Sequence, residues 1–168
     1  MDFQILDMEG ARPEHSAVIV NFVSAIRGQL KNSTCYVFSD NVQYKWSTKD
    51  GEEKTVIPDA SINCRVKSRK GNYFLDVPRF VMEVLSPSTE KYDRNEKMEL
   101  YREQEIDEYW IVDWVEKRVE IYNLDYENEV PKYYLWKMIT EENKEELKIV
   151  HFPGLDITFD ELFDEIEL

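Results

Sequence analysis

The sequence RFVMEVLSP, residues 79–87, is the most strand-like stretch of the chain and decides how its fold is interpreted. Apolar residues run almost unbroken from Phe80 to Leu85, which is typical of a strand buried on both faces. One carboxylate, Glu83, interrupts the run, and Pro87 ends it. Burying a carboxylate is costly unless it is paired, protonated or bound to a metal ion, so Glu83 is the first candidate for a functional residue.

Helical and strand-like patterns alternate on both sides of this segment. The order predicts an α/β (α+β) protein in which a central mixed β-sheet is flanked by helices, and we expect one domain over residues 1–168. The predicted helical segments are residues 15–30 and 88–106, with a capped helical turn at 154–163. The predicted strands are an entry strand within 2–14, before a loop that ends at Pro13, and then 34–46, 55–66, 108–114, 118–124, 131–143 and 146–152.

The composition is that of a globular protein: 168 residues, 42% of them hydrophobic and 13% aromatic. No apolar run approaches the ~18 residues of a membrane helix. The N-terminal residues lack a signal-peptide pattern, so we expect a cytoplasmic protein with no membrane partner. The two cysteines, Cys35 and Cys64, have no metal-binding spacing. We therefore expect two separate buried thiols.

The formal net charge of −14 bears on function. Phosphate contacts dominate the affinity of DNA-binding proteins, which usually carry a basic surface. The charge of this chain argues against tight nonspecific DNA binding. The sequence still allows a local basic face around Arg65, Lys67, Arg69 and Lys70.

Asp59, in the sequence IPDAS, is a second carboxylate within a strand-like segment. Two carboxylates that meet at the end of a sheet form a site for Mg²⁺, which prefers one or two carboxylates together with water and phosphate oxygens. The backbone carbonyl of Val84 would add a further oxygen. The competing interpretation is structural, because Pro-Asp is also a common turn pair.

Lys97 follows Glu83 in the second predicted helix, where Asp93 and Tyr101 lie one turn to either side of it. A lysine near two carboxylates and a metal ion stabilises charge that develops on a phosphate during hydrolysis. A lysine on a helix is, however, more often a solvated surface residue. His15, at the start of the first predicted helix, is a secondary candidate together with Asp93 and Tyr101.

Three strings, VIPDAS, VPRFVMEVLSPST and YDRNEKMELYREQEIDEYWIVDW, resemble a large bacterial family of restriction-endonuclease-like proteins, the Uma-type branch of the PD-(D/E)XK nuclease superfamily. The resemblance is strongest over residues 57–122. It implies a restriction-endonuclease-like fold and assigns the two acids of the superfamily to Asp59 and Glu83. The usual lysine position is occupied by Leu85, and the resemblance implies that Lys97 replaces it from the next helix.

The leading hypothesis is a metal-dependent endonuclease that acts on DNA, with Asp59, Glu83 and the Val84 carbonyl binding Mg²⁺ or Mn²⁺ and Lys97 as the migrated catalytic lysine. An alternative is an inactive dimeric scaffold or regulatory binding module that retains the fold. A hydrolase of a smaller phosphoester is a third possibility. Aromatic residues, among them Tyr133, Tyr134 and Trp136, and uncovered hairpin edges favour a homodimer.

Overall fold

The computed structural model describes residues 12–166, which form ten strands, four α-helices and short 3₁₀ turns. No helix in this range is long and apolar enough to cross a membrane. The helices are α1 (Pro13–Arg27), α2 (Glu90–Arg94), α3 (Glu96–Glu103) and α4 (Phe159–Leu162). The strands are β1 (Tyr36–Phe38), β2 (Gln43–Ser47), β3 (Glu53–Val56), β4 (Ala60–Asn63), β5 (Arg69–Lys70), β6 (Tyr73–Phe74), β7 (Phe80–Val84), β8 (Glu108–Asp113), β9 (Arg118–Glu127) and β10 (Val130–Ile139).

The main sheet has six strands in the order β1-β4-β7-β8-β9-β10. β7 and β8 are parallel, and the other neighbouring pairs are antiparallel. All five residues of β7 are buried, because strands cover both of its edges and helices or a second sheet cover both of its faces. The predicted mixed sheet with flanking helices is confirmed.

A second sheet, with the order β3-β2-β6-β5, was not predicted. Each of the strand-like runs 34–46 and 55–66 is divided between the two sheets. The first bends at residues 39–42 and the second at Ile57–Asp59. Pro58 suits this bend because it cannot donate a ladder hydrogen bond. The buried hydroxyls of Tyr44 in β2 and Ser61 in β4 are hydrogen-bonded at 2.8 Å and join the two sheets.

Helices pack on both faces of the main sheet, with an apolar interface on one face and tyrosine side chains on the other. The apolar stripe of α1 packs on one face, where the rings of Phe22 and Phe80 stack with centroids 5.2 Å apart. On the other face α3 brings Tyr101 against Tyr109. The sequence predicts Pro13 at the end of a loop, but Pro13 is the first residue of α1. Proline fits the first turn of a helix, where its missing N–H has no partner to lose. The rest of the predicted entry strand lies outside the described residues.

The predicted strand at 146–152 is wrong, although the helical turn predicted before the C-terminus is confirmed as α4. Residues 131–139 pair with β9 instead, through a turn at Asn128 and Glu129, both of which have positive φ. The backbone N–H groups of Val150 and His151 donate to the buried carboxylate of Glu108, at 3.2 and 2.9 Å. One carboxylate thereby supplies acceptors that a neighbouring strand would otherwise provide.

The expectation of two separate buried thiols is also wrong. Cys35 and Cys64 form a disulfide with a Cα–Cα distance of 4.0 Å, and both residues are only partly buried. They directly extend the antiparallel register of β1 and β4, in which Tyr36 lies opposite Asn63. The pairing depends on strand register, so their separation of 29 residues in the sequence did not reveal it.

Candidate active site

Asp59 and Glu83 meet where β4 begins and β7 ends. The antiparallel register places Ala60 opposite Met82, so Asp59 and Glu83 occupy the next pair of positions, on the same face of the sheet. The Val84 N–H donates to Asp59 Oδ2 at 2.7 Å. Both carboxylates line a cleft of about 490 Å³, together with Arg12, His15, Ser86, Pro87, Ser88, Thr89, Asp93 and Lys97.

Glu83 is 1% exposed and has a partner on each carboxylate oxygen. The Tyr101 hydroxyl donates to Oε1 at 2.6 Å, and Lys97 Nζ lies 3.0 Å from Oε2. Complete burial raises the pKa of Glu83 well above its ordinary value, the negative charges of Asp59 and Asp93 raise it further, and Lys97 opposes the shift. Lys97 therefore offsets only part of the cost of ionising Glu83 in the cleft.

Lys97 points into the cleft and contacts two carboxylates. Its ammonium lies 3.0 Å from Glu83 and 3.2 Å from Asp93, and its side chain is only 14% exposed. Burial alone would lower the pKa of Lys97, but Glu83 and Asp93 outweigh it and raise that pKa above the ordinary value. Asp59 adds a weaker attraction. Leu85, where the superfamily usually has lysine, is buried in the apolar core.

Asp93 is also 1% exposed and belongs to the same cluster. Thr89 Oγ1 donates to its Oδ2 at 3.1 Å, and the Tyr109 hydroxyl donates to its backbone carbonyl at 2.8 Å. Burial raises the pKa of Asp93, while Lys97 and Thr89 oppose the shift. Three carboxylates, those of Asp59, Glu83 and Asp93, therefore surround the one ammonium group.

His15, in the first turn of α1, closes the other side of the cleft. It is 9% exposed, and its Nε2 lies 3.3 Å from Asp59 Oδ2. Burial would lower the pKa of His15, but the contact with Asp59, the backbone of Val84 and the charge of Asp40 raise it. Burial likewise opposes the ionisation of Asp59, yet His15, the Val84 N–H and Lys97 keep the pKa of Asp59 below its ordinary value.

A family model described as "Uma2: Putative restriction endonuclease" matches residues 2–159. The chain belongs to this family. A relative from Synechocystis sp., described as an uncharacterized protein, is 29% identical over 123 residues, which are 73% of this chain and 63% of that protein. The chain thus spans less than two thirds of the length of the curated relative it matches.

A solved structure shares the fold of this chain. It is described as that of "a putative nuclease belonging to DUF820 from Anabaena variabilis ATCC 29413" and superposes with a TM-score of 0.70 at 20% identity. The superposition covers 93% of this chain and 83% of that one. The restriction-endonuclease-like fold implied by the sequence is therefore confirmed.

The donor set of the Uma2 cleft fits a hard divalent cation. Within residues 12–166 no group of three or more His, Cys, Asp or Glu side chains is arranged to hold a metal ion. The side chains that would serve in the cleft are the neighbouring carboxylates of Asp59 and Glu83. Mg²⁺ is commonly bound by only one or two carboxylates, with water and phosphate oxygens in its remaining positions. A cation at the same place would oppose the burial and the neighbouring carboxylates that raise the pKa of Glu83.

Two features of this site were missed from the sequence. Arg94, in α2, makes a bidentate contact with Glu120 of β9 at 2.8 and 3.0 Å, and thereby fixes the helix that carries Asp93. The segment 86–89 lines the cleft and supplies Thr89 to Asp93. The string EVLSPST was already part of the family resemblance and could have signalled the second feature. The first depends on a long-range contact that no local pattern reveals.

Proposed function

We propose that this protein is a metal-dependent endonuclease that hydrolyses phosphodiester bonds of DNA. The observation that carries the proposal is the presence of Asp59, Glu83 and Lys97 in one cleft of a Uma2 fold. A neutral core residue stands at position 85, and Lys97 brings an ammonium group to within 3.0 Å of the second acid from a different element. This is the arrangement that a lysine transferred to the following helix requires.

In this proposal Asp59, Glu83 and the backbone carbonyl of Val84 hold one Mg²⁺ or Mn²⁺ ion. When bound, the ion supplies Lewis acidity toward a phosphate oxygen and lowers the pKa of a coordinated water molecule. The chain prepares the two acids differently. His15 and the Val84 N–H keep Asp59 ionised, whereas Glu83 is oriented from both sides by Tyr101 and Lys97.

Lys97 is the proposed electrostatic group for the phosphate. It remains protonated at neutral pH because Glu83 and Asp93 raise its pKa. Its ammonium is directed by two contacts on the protein side and can donate to a phosphate oxygen from the cleft side. Removing a preorganised donor of this kind typically lowers the rate by ~10²–10³-fold.

We also propose that the protein forms a homodimer through the outer part of β10. Tyr134, Leu135 and Met138 are each more than 40% exposed on this edge strand. Tyr133 and Trp136, also considered from the sequence, are partly buried, and Tyr133 donates its hydroxyl to the Ile106 carbonyl. Sedimentation should give twice the 20.1 kDa of the chain. The double variant Tyr134→Ser/Leu135→Ser should shift it to monomer, and a wild-type monomer would refute the proposal.

The function is tested by nicking of supercoiled plasmid with Mg²⁺ or Mn²⁺ and with EDTA. Asp59→Asn retains an acceptor for the Val84 N–H but removes the charge, so it should abolish nicking and keep the fold. The control Asp76→Asn neutralises an exposed carboxylate outside the cleft and should nick at the wild-type rate. Binding of Mn²⁺, measured by electron paramagnetic resonance, should weaken in the first variant only.

The alternative function, an inactive dimeric scaffold or regulatory module, predicts a different result. No divalent cation would then induce nicking of any nucleic acid, and Mn²⁺ would bind equally to the wild type and to Asp59→Asn. Cleavage of a small phosphodiester without cleavage of DNA would favour a hydrolase of smaller phosphoesters. Either result would refute the proposed DNA endonuclease.

A further inference from the structure

One stretch of this acidic chain carries only positive charge. Residues 60–75 contain no aspartate or glutamate, although the whole chain has 35 acidic residues and a net charge of −14. The same stretch contains Arg65, Lys67, Arg69 and Lys70, which we call the basic edge. All four residues are exposed. The positive charge of this acidic chain is therefore concentrated in one stretch that lacks negative charge.

Two of the four residues of the basic edge, Arg69 and Lys70, lie on an edge strand. β5, formed by Arg69 and Lys70, is the outermost strand of the second sheet and pairs only with β6. Within residues 12–166 no member of the basic edge forms a salt bridge, whereas Lys54, on the opposite edge of that sheet, pairs with Glu52 at 3.2 Å. The charges of the basic edge are thus available to a partner.

The second sheet is connected to the active-site cleft through the chain segment that follows β3. Across it, Val56, Tyr44, Phe74 and Arg69 lie in one row of paired positions. With strands ~4.8 Å apart, the row spans about 14 Å. Val56 is followed three residues later by Asp59. Arg69 of the basic edge therefore lies level with Val56, at the end of the second sheet that is nearer to Asp59 and the cleft.

The opposite end of the same sheet is acidic. The turn between β2 and β3 and the start of β3 hold Asp50, Glu52 and Glu53 against Lys49 and Lys54, which leaves this end with a net negative charge although Lys54 pairs with Glu52. A long polyanion that lies along the basic edge is repelled from this turn, so the distribution of charge favours one orientation of the bound molecule. The same distribution would allow a chain of net charge −14 to approach a polyanion.

The geometry points to the basic edge as the docking surface for the phosphate backbone of double-stranded DNA, and this inference rests on the proposed nuclease function. Duplex is favoured over single-stranded nucleic acid by the state of Tyr73, the aromatic residue that pairs with Lys70 of the edge. The ring of Tyr73 in β6 is covered by Lys45, whose Nζ lies 4.2 Å from the ring centroid. Proteins that bind single strands present open aromatic faces for base stacking, and this ring face is occupied.

The test is the binding of a fluorescein-labelled DNA duplex, measured by anisotropy over a range of salt concentrations in EDTA. The variant Arg69→Gln/Lys70→Gln removes two charges of the edge. The control Arg27→Gln/Lys31→Gln removes two exposed charges at the end of α1 and leaves the same net charge. The edge variant should bind about tenfold more weakly, and its salt slope should fall by about 0.9 for each phosphate that it no longer neutralises. The control should match the wild type.

Equal losses of affinity in both variants, or unchanged binding by the edge variant, would overturn the docking surface. Tighter binding of single-stranded DNA or of RNA than of the duplex would overturn the choice of partner. Plasmid nicking is measured separately on the same proteins. Binding that depends on the edge without any nicking would refute the nuclease and leave the docking surface standing. If the wild type nicks DNA with metal and the edge variant binds DNA equally well, the docking surface is refuted and the nuclease function stands.

Discussion

Replacing Lys97 with methionine should destabilise the protein far more than a helix-surface substitution. Methionine keeps much of the side-chain volume and removes the charge. The ammonium of Lys97 is the only cation within 4 Å of Glu83 and Asp93 among the described residues, and both carboxylates are 1% exposed. Breaking a buried ion pair by removing one partner costs about 3–5 kcal/mol. If Lys97 were instead a solvated lysine on the helix surface, the alternative considered from the sequence, its replacement would change the free energy of unfolding by no more than about 0.5 kcal/mol.

The cost should depend on pH in a defined direction. Burial raises the pKa values of Glu83 and Asp93 in the folded state, and Lys97 partly lowers both. Groups with raised folded-state pKa values favour folding at low pH, and this contribution is lost as the pH rises through those values. In Lys97→Met both pKa values rise further. The stability deficit relative to the wild type should therefore grow as the pH rises through the folded-state pKa values of Glu83 and Asp93.

Urea denaturation of the wild type and Lys97→Met at several pH values measures this deficit. Lys97→Arg retains the charge and should recover most of the stability. Lys91→Met, at an exposed position in the preceding helix, is the matched control and should change the free energy of unfolding by less than about 0.5 kcal/mol. A Lys97→Met deficit as small as that of the control, or one independent of pH, would refute the stabilising role of the buried ion pairs.

Three further predictions concern individual contacts. The pKa of His15, followed by NMR, should lie above its ordinary value of 6.5 and fall in Asp59→Asn. The stability that this contact contributes is present below pH 6.5 and is lost as the pH rises through the folded-state pKa of His15. An unchanged pKa of His15 in the variant would contradict the prediction. Reduction of the Cys35–Cys64 disulfide should cost about 3–4 kcal/mol for a loop of this length, seen as a lower Tm with dithiothreitol than without; equal Tm values would count against it. Glu108→Ala should cost about 3 kcal/mol in chemical denaturation, because it leaves the buried Trp110 Nε1–H and the part-buried N–H groups of Val150 and His151 without their acceptor, and a near-neutral result would show that water replaces the carboxylate.

The central strand and the three principal candidate residues could be predicted because their signals are local. Glu83 interrupts an apolar run of unambiguous length, and Asp59 and Lys97 lie within short strings that resemble one family. Placement of Asp59 beside Glu83 follows once two neighbouring antiparallel strands are assumed. Local patterns are sufficient when the functional groups lie at the ends of adjacent elements.

The features that were missed depend on long-range register or on tertiary hydrogen bonds. The disulfide and the division of strands between two sheets are decided by which strands pair, and each strand alone carries no such information. Residues 146–152 alternate apolar and polar side chains like a strand, with Leu147 and Ile149 buried in the core. The carboxylate of Glu108, some forty residues earlier in the chain, satisfies the backbone of Val150 and His151 and removes the need for a strand partner.

The central claim is that Asp59 and Glu83 share one divalent cation. Its most direct test is a crystal of the protein soaked in Mn²⁺, with diffraction recorded on both sides of the manganese absorption edge. An anomalous difference peak within ~2.3 Å of oxygens from both carboxylates, displaced or lost in Asp59→Asn crystals, is the predicted result. A map with no peak in the cleft at millimolar Mn²⁺, or with a peak that contacts neither Asp59 nor Glu83, would contradict it.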